Sequence, residues 1–176
     1  MLDRRDNIIE APPYPAALTG LADLVRAAID MLERFPYSII ALAARLFPAT
    51  VFWRSGQTKI DGWQVSDNAL ELFREEYKLP FVDPAVMAHV TVFAELCLPP
   101  LLIIGFASRF VALALLGMTL VIEVFVYPHA WPTHGTWAAC FLLVIARGPG
   151  AISIDAQIER SRPDGSPDRS SDTSLE

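Results

Sequence analysis

Across residues 86–126 the chain reads VMAHVTVFAELCLPPLLIIG, then FASR, then FVALALLGMTLVIEVFV: two apolar runs separated by a narrow polar break. Each run is about 17–20 residues, and at about 1.5 Å of helical rise per residue each is roughly 25–30 Å long, the thickness of a bilayer's hydrocarbon core. The short break predicts an antiparallel transmembrane hairpin, and the other segments are fitted to it. Residues 35–53, FPYSIIALAARLFPATVFW, predict a first span with Arg45 near its middle. Pro48 removes a backbone donor there and predicts a kink. Trp53 and Arg54 mark the far interface. Spans two and three run over 84–105 and 110–126. A fourth run, 135–146, is short for a crossing, so it extends back toward Trp131, tilts little, or thins the bilayer locally. Arg147-Gly148-Pro149-Gly150 stops it.

The flanks read differently. Residues 1–15 are charged and then proline-rich, and are expected to be unfolded. Leu18, Leu21, Val25, Ala28, Ile29 and Leu32 recur at three- and four-residue spacing with Asp23, Arg26, Asp30 and Glu33 between them, the pattern of an amphipathic helix. Directly before a span, such a helix lies along the membrane surface or forms a solvated lead-in. Residues 55–84 are too polar to cross. Within them Asn68 and Glu71 resemble a helix cap, and Leu70, Phe73 and Tyr77 share a face up to a stop at Leu79-Pro80. The prediction is a short helix on the outer mouth of the bundle, as a lid or a plug. Residues 152–158 are expected to dock on the surface, and the Ser-, Asp-, Pro- and Gly-rich end to be disordered.

The pattern predicts an all-α integral membrane protein, a four-helix up-and-down bundle with short interfacial helices. Residues 1–34 form a cytoplasmic tail and amphipathic juxtamembrane helix, 35–155 the transmembrane domain, and 156–176 a disordered cytoplasmic tail. Orientation follows from Lys and Arg. Arg4, Arg5, Arg26, Arg34, Arg109, Arg147, Arg160, Arg162 and Arg169 fall on one side, and Arg54, Lys59, Arg74 and Lys78 on the other. The excess places both termini in the cytoplasm.

Composition supports this picture. The 176 residues suffice for one domain, and 53% are hydrophobic although both ends are polar. A net charge of −6 with no basic patch excludes a nucleic-acid partner. Cys97 and Cys140 lie within apolar runs and form no disulfide framework. The first 30 residues are acidic and proline-containing, unlike a secretion signal.

Candidate chemistry rests on polar groups inside the apolar runs. A charge at mid-bilayer costs at least about 2.5–3.5 kcal/mol and faces the bundle interior with a partner. Arg45, Glu95 and Glu123 are such charges. Arg45 lies about 12 Å below Trp53 and Glu95 about 14 Å below Val86 by helical rise, so the matching depths predict an Arg45–Glu95 ion pair. That pair either locks spans one and two or tunes a buried site. Thr119, Glu123 and Tyr127 form one polar stripe, and Thr91 with Glu95 another. Together they predict a polar seam reaching the outer face. His89, His129 and His134 lie toward that face. With Glu123 they are candidates for a quinone-headgroup site or a copper or zinc site, although their spacing matches no metal signature. Lys59, Trp53 and Trp63 are candidates for its rim. There is no CxxC, GxSxG, phosphate loop or HExxH, and a bis-histidine haem site lacks its second histidine. The sequence alone shows no enzyme.

Over residues 35–155 the chain resembles the DoxX family of small four-helix bacterial membrane proteins. The resemblance is carried by Ala44-Arg45-Leu46, Gly56 and Lys59, residues 73–80, Glu95, Gly105, Arg109, and Gly148-Pro149-Gly150 leading to Ser153-Ile154-Asp155. It implies a polytopic inner-membrane protein tied to redox processes. Members resemble subunits of quinone-linked sulfur or terminal oxidases, partners in membrane oxidoreductase complexes handling thiol and oxidative stress, or neighbours of proteins for metal stress. The expected partners are the lipid bilayer and other membrane or periplasmic redox proteins. The family has no agreed catalytic residues, so none is carried over.

Overall fold

The computed structural model describes residues 16–77 and 82–162. The stretch expected to be unfolded over 1–15, the Leu79-Pro80 stop and the tail over 163–176 lie outside the described residues. The chain divides into two compact units between Pro36 and Tyr37, two residues beyond the expected boundary.

In the first unit α1, Ala16–Glu33, is the expected amphipathic helix. Leu21, Leu24, Val25, Ile29 and Leu32 are all exposed, and Arg26 meets Asp23 at 3.4 Å one turn away.

The second unit holds α2 (Tyr37–Gln57), a two-stranded hairpin of β1 (Ile60–Asp61) and β2 (Gln64–Val65), and α3 (Asp67–Leu72) running into a π-helical turn, Phe73–Tyr77. Then come α4 (Pro84–Ile104), α5 (Ser108–Phe125), α6 (Trp131–Arg147) and α7 (Ile154–Arg160). Local chemistry explains most boundaries. Asp83 Oδ1 accepts from the amides of Ala85 and Val86, with Pro84 at the first helical position where no donor is needed. Gly105 ends α4 at φ +74°, and a Cβ there would sit 2.4 Å from the Arg45 guanidinium. α6 extends back to Trp131, as one expectation had it.

Several expectations are corrected. α2 is helical through Trp53 to Gln57, with Pro48 inside it and buried. The cap of α3 is Ser66, whose Oγ accepts from the Ala69 amide at 3.2 Å, not Asn68. The hairpin was not foreseen; each of its strands is two residues long, too short to show an alternating pattern. Order continues through α7 to Arg160, past the boundary expected at 155, because Ser153 caps that helix and Asp155 is tied to α5.

α2 packs against α4 and α6, and α5 packs against α6 and, less extensively, α4. Phe52, Leu102, Leu115, Phe141 and Val144 centre the core, with Phe52 edge-on to both Trp137 and Phe141. A second cluster joins Phe73 and Tyr77 of the π turn to Ala88 of α4. Among the described residues two helices, α4 and α5, are long and apolar enough to cross a membrane by themselves.

The α2–α4 register decides where the charges go. Gly56 lies against Glu95, so closely that a Cβ would approach the Glu95 Cβ to 2.9 Å. Arg45, eleven residues earlier on α2, therefore reaches the far end of α4. Its guanidinium donates to the carbonyls of Ile103 (2.9 Å), Leu102 (3.3 Å) and Ile152 (2.5 Å). The expected Arg45–Glu95 ion pair does not form. That expectation set Trp53 level with Val86, whereas α4 continues past the end of α2 by about three turns and packs there against the π turn.

Candidate functional site

Where α2 ends, a lysine turns back into the core. Lys59 follows the last turn of α2 and is 6% exposed; its ammonium donates to both oxygens of Glu95, at 2.7 and 2.9 Å. It also donates to Ser55 Oγ at 2.7 Å, and that hydroxyl donates onward to Glu95 Oε1 at 3.1 Å. All three side chains thus satisfy one another, as a buried charge requires. Gly56 permits the close approach, and the carbonyl end of α2 favours a cation beside it.

A second acid–base pair spans the α5–α6 hairpin. His134 Nδ1 lies 2.5 Å from Glu123 Oε2, with His134 buried and Glu123 partly so. The His134 ring also leans on Trp137, with 5.0 Å between centroids. Glu95 and His134 line one cavity of about 120 Å³ together with Ser55, Phe52, Ile122 and Trp137. At about 30 Å³ per molecule in the liquid, that is room for roughly four waters. Ile122 also lines a neighbouring cavity of about 280 Å³, whose other walls are Phe73, Tyr77, Met87, Val90, Thr91, Ala94, Gly117, Met118 and Val121. Those walls are almost wholly apolar. Val90 is 58% exposed on the outer surface of α4, so the cavity adjoins the face that lipid would cover. Burial, and next the negative charge of Glu95, push the Tyr77 phenol above the ordinary tyrosine range, so it stays protonated.

Among the residues expected to form the site, Glu95 and His134 line the smaller cavity, and Glu123 is joined to it through His134. Lys59, expected only at the rim, is the ion-pair partner. Arg45 belongs to the opposite end. The two polar stripes do not form a continuous seam. Thr119 Oγ1 bonds its own helix at Leu115, Thr91 faces the apolar cavity, and Tyr127 reaches Glu76 of the π turn at 3.1 Å. His89 is exposed and bonds the Ala85 carbonyl one turn back, and His129 is exposed beyond the end of α5. Among the described residues no three metal-ligating side chains converge, so the four residues considered for copper or zinc are not assembled as a set. Trp63 is fully exposed on the hairpin and Trp53 lies outside the lining of the smaller cavity. Ser55 was missed altogether; only its placement one turn before Lys59, at the end of a span, pointed to it.

Membrane-length apolar helices packed around buried ionisable pairs define a polytopic helical membrane protein. The DoxX family pattern matches residues 40–128, just over half of the sequence, and the chain belongs to the DoxX family. That stretch contains Lys59, Glu95 and Glu123; His134 lies beyond it. No curated protein and no solved structure matches the chain.

Proposed function

We propose that this chain is an inner-membrane subunit of a quinone-linked redox system, and that Lys59, Ser55, Glu95, Glu123 and His134 form its headgroup site. On this reading α2, α4, α5 and α6 are four crossings of an up-and-down bundle, with both termini in the cytoplasm and the β1–β2 hairpin and π turn at the periplasmic mouth. The observation that carries it is a cavity lined by one member of each of two acid–base pairs, Glu95 and His134, next to an apolar cavity on the lipid-facing side. A quinone needs that combination: hydrocarbon for its tail and ring, and donors for its two carbonyl oxygens. The His134 imidazole, whose Nε2 is not engaged by Glu123, is a donor of that kind, and a second carbonyl oxygen would compete with Glu95 for the Ser55 hydroxyl. Two-electron reduction of a quinone also takes up two protons, and carboxylates beside imidazole and ammonium hold and pass protons. Electrons come from or go to a partner redox protein, so the chain is a proton-handling and binding subunit and not an oxidoreductase by itself.

The test is quinone uptake by the full chain in nanodiscs. Wild type is expected to take up about one menaquinone or ubiquinone per chain from loaded vesicles, with Glu95→Gln and His134→Ala lowering occupancy at least tenfold. Absence of uptake by a folded wild-type sample would overturn the reading. Elemental analysis of the same sample reads the alternative, metal-stress handling, as stoichiometric copper or zinc.

A further inference from the structure

At the opposite end of the helices lies a cavity of about 520 Å³, whose walls include Tyr37, Ser108, Arg109, Arg147, Asp155 and Glu159. We infer that it binds the phosphodiester headgroup of a membrane phospholipid, held between Arg109 and Arg147. The first ground is a pair of guanidinium groups. Arg109 donates to the Ile145 carbonyl at 3.0 Å, and the Arg147 guanidinium lies 5.7 Å from the centre of the Tyr37 ring. Neither makes an ion pair with a carboxylate among the described residues. Asp155 lines the same cavity, but its two oxygens are taken by the amides of Ala107 and Ser108, both at 2.8 Å. Arg109 and Arg147 are thus matched in number by Asp155 and Glu159, but Asp155 is committed to the two amides, which leaves both guanidinium groups without a carboxylate partner. A phosphodiester carries one negative charge, and planar guanidinium groups match its oxygens in pairs.

A second ground is polar capacity. Ser108 is wholly buried on the cavity wall and its hydroxyl has no hydrogen-bond partner. The third is depth. The cavity lies at the turn between α4 and α5, the two helices of membrane length, so it sits where lipid phosphates lie. On the same wall Phe110 is 78% exposed, an apolar surface for the first carbons of an acyl chain. Depth selects a lipid phosphate over a soluble one.

Native mass spectrometry of the full chain, with phosphatidylglycerol or phosphatidylethanolamine titrated into delipidated detergent samples, tests this. Wild type is expected to retain one phospholipid per chain. Arg109→Gln and Arg147→Gln each weaken retention about tenfold, and Arg147→Lys restores part of it. Arg26→Gln, an exposed pair on α1, leaves retention unchanged. Thermal unfolding of each variant shows whether it is folded. Glu159→Gln is expected to shift preference from phosphatidylethanolamine toward phosphatidylglycerol, because the carboxylate would face the headgroup amine. Equal retention by both glutamine variants and wild type overturns the inference. Competition by inorganic phosphate as effective as that by phospholipid overturns the lipid assignment.

Discussion

At the scale of single residues, Lys59 and Glu95 show why a buried pair differs from a surface one. Each charge has given up water and is compensated by the other and by Ser55. Removing one partner leaves the other charge uncompensated, so Lys59→Met is expected to lower stability by about 3–5 kcal/mol, whereas replacing both by apolar residues recovers most of that. Denaturant unfolding in detergent of the single variant and of Lys59→Met with Glu95→Leu measures the difference; equal losses would mean the site is already hydrated. Gly56 gives an independent reading of the same contact. A Cβ there would meet Glu95 Cβ at 2.9 Å and the Glu95 backbone at 3.2 Å, so Gly56→Ala must part α2 from α4, at about 1–3 kcal/mol. Tyr77 adds a pH dependence. Its folded-state phenol titrates above the unfolded one, so the folded chain holds a proton that the unfolded chain has lost. Stability from this group is complete below about pH 10 and falls as pH rises further. Tyr77→Phe is expected to remove that part of the alkaline loss in a series of melts above pH 10.

At the scale of elements, the start of α5 is held from a distance. Ala107 precedes the helix at φ +48°, a left-handed conformation that costs a residue with a Cβ about 1–2 kcal/mol, and no side chain of its own caps the helix. Asp155, from α7, supplies the cap, while its own amide donates to the Gly105 carbonyl at 2.9 Å. Asp155→Ala is expected to cost about 1–2 kcal/mol and Ala107→Gly to stabilise by up to about 1 kcal/mol, both read from thermal melts. This explains what the sequence made legible. Apolar run lengths placed α4, α5 and most of α2 and α6, because in lipid a span must be continuous and apolar. Glu95 and Glu123 stood out because charge is rare in such runs, and His134 as an imidazole near the same face. The Asp155 cap did not, because it acts across 47 positions of chain and leaves no local pattern. Nor did the ion pair. Helical periodicity fixes which face a side chain occupies, but not how far one helix slides along its neighbour. Three turns of slide exchanged Arg45 for Lys59.

At the scale of the molecule, the two ends of the second unit differ in charge and construction. One end gathers Arg45, Arg109, Arg147 and Arg160, with three of these guanidinium groups bonded to backbone carbonyls at loops and helix ends. The other carries the hairpin and the π turn, and its buried Lys59 is neutralised by Glu95. Positive charge flanking spans is retained on the cytoplasmic side during insertion, so the arginine end is expected to stay there. Trp63 on the hairpin and Arg160 on α7 are both exposed and stand at opposite ends, which makes them reporters. With Cys97 and Cys140 replaced by Ala, an impermeant maleimide on intact spheroplasts should label Trp63→Cys and should reach Arg160→Cys only after permeabilisation. The reverse pattern would invert the chain and put the proposed quinone site at the cytoplasmic surface. Labelling of both positions from outside would mean that an even number of crossings lies between them, and the four-crossing reading, which puts α4, α5 and α6 there, would fall with it.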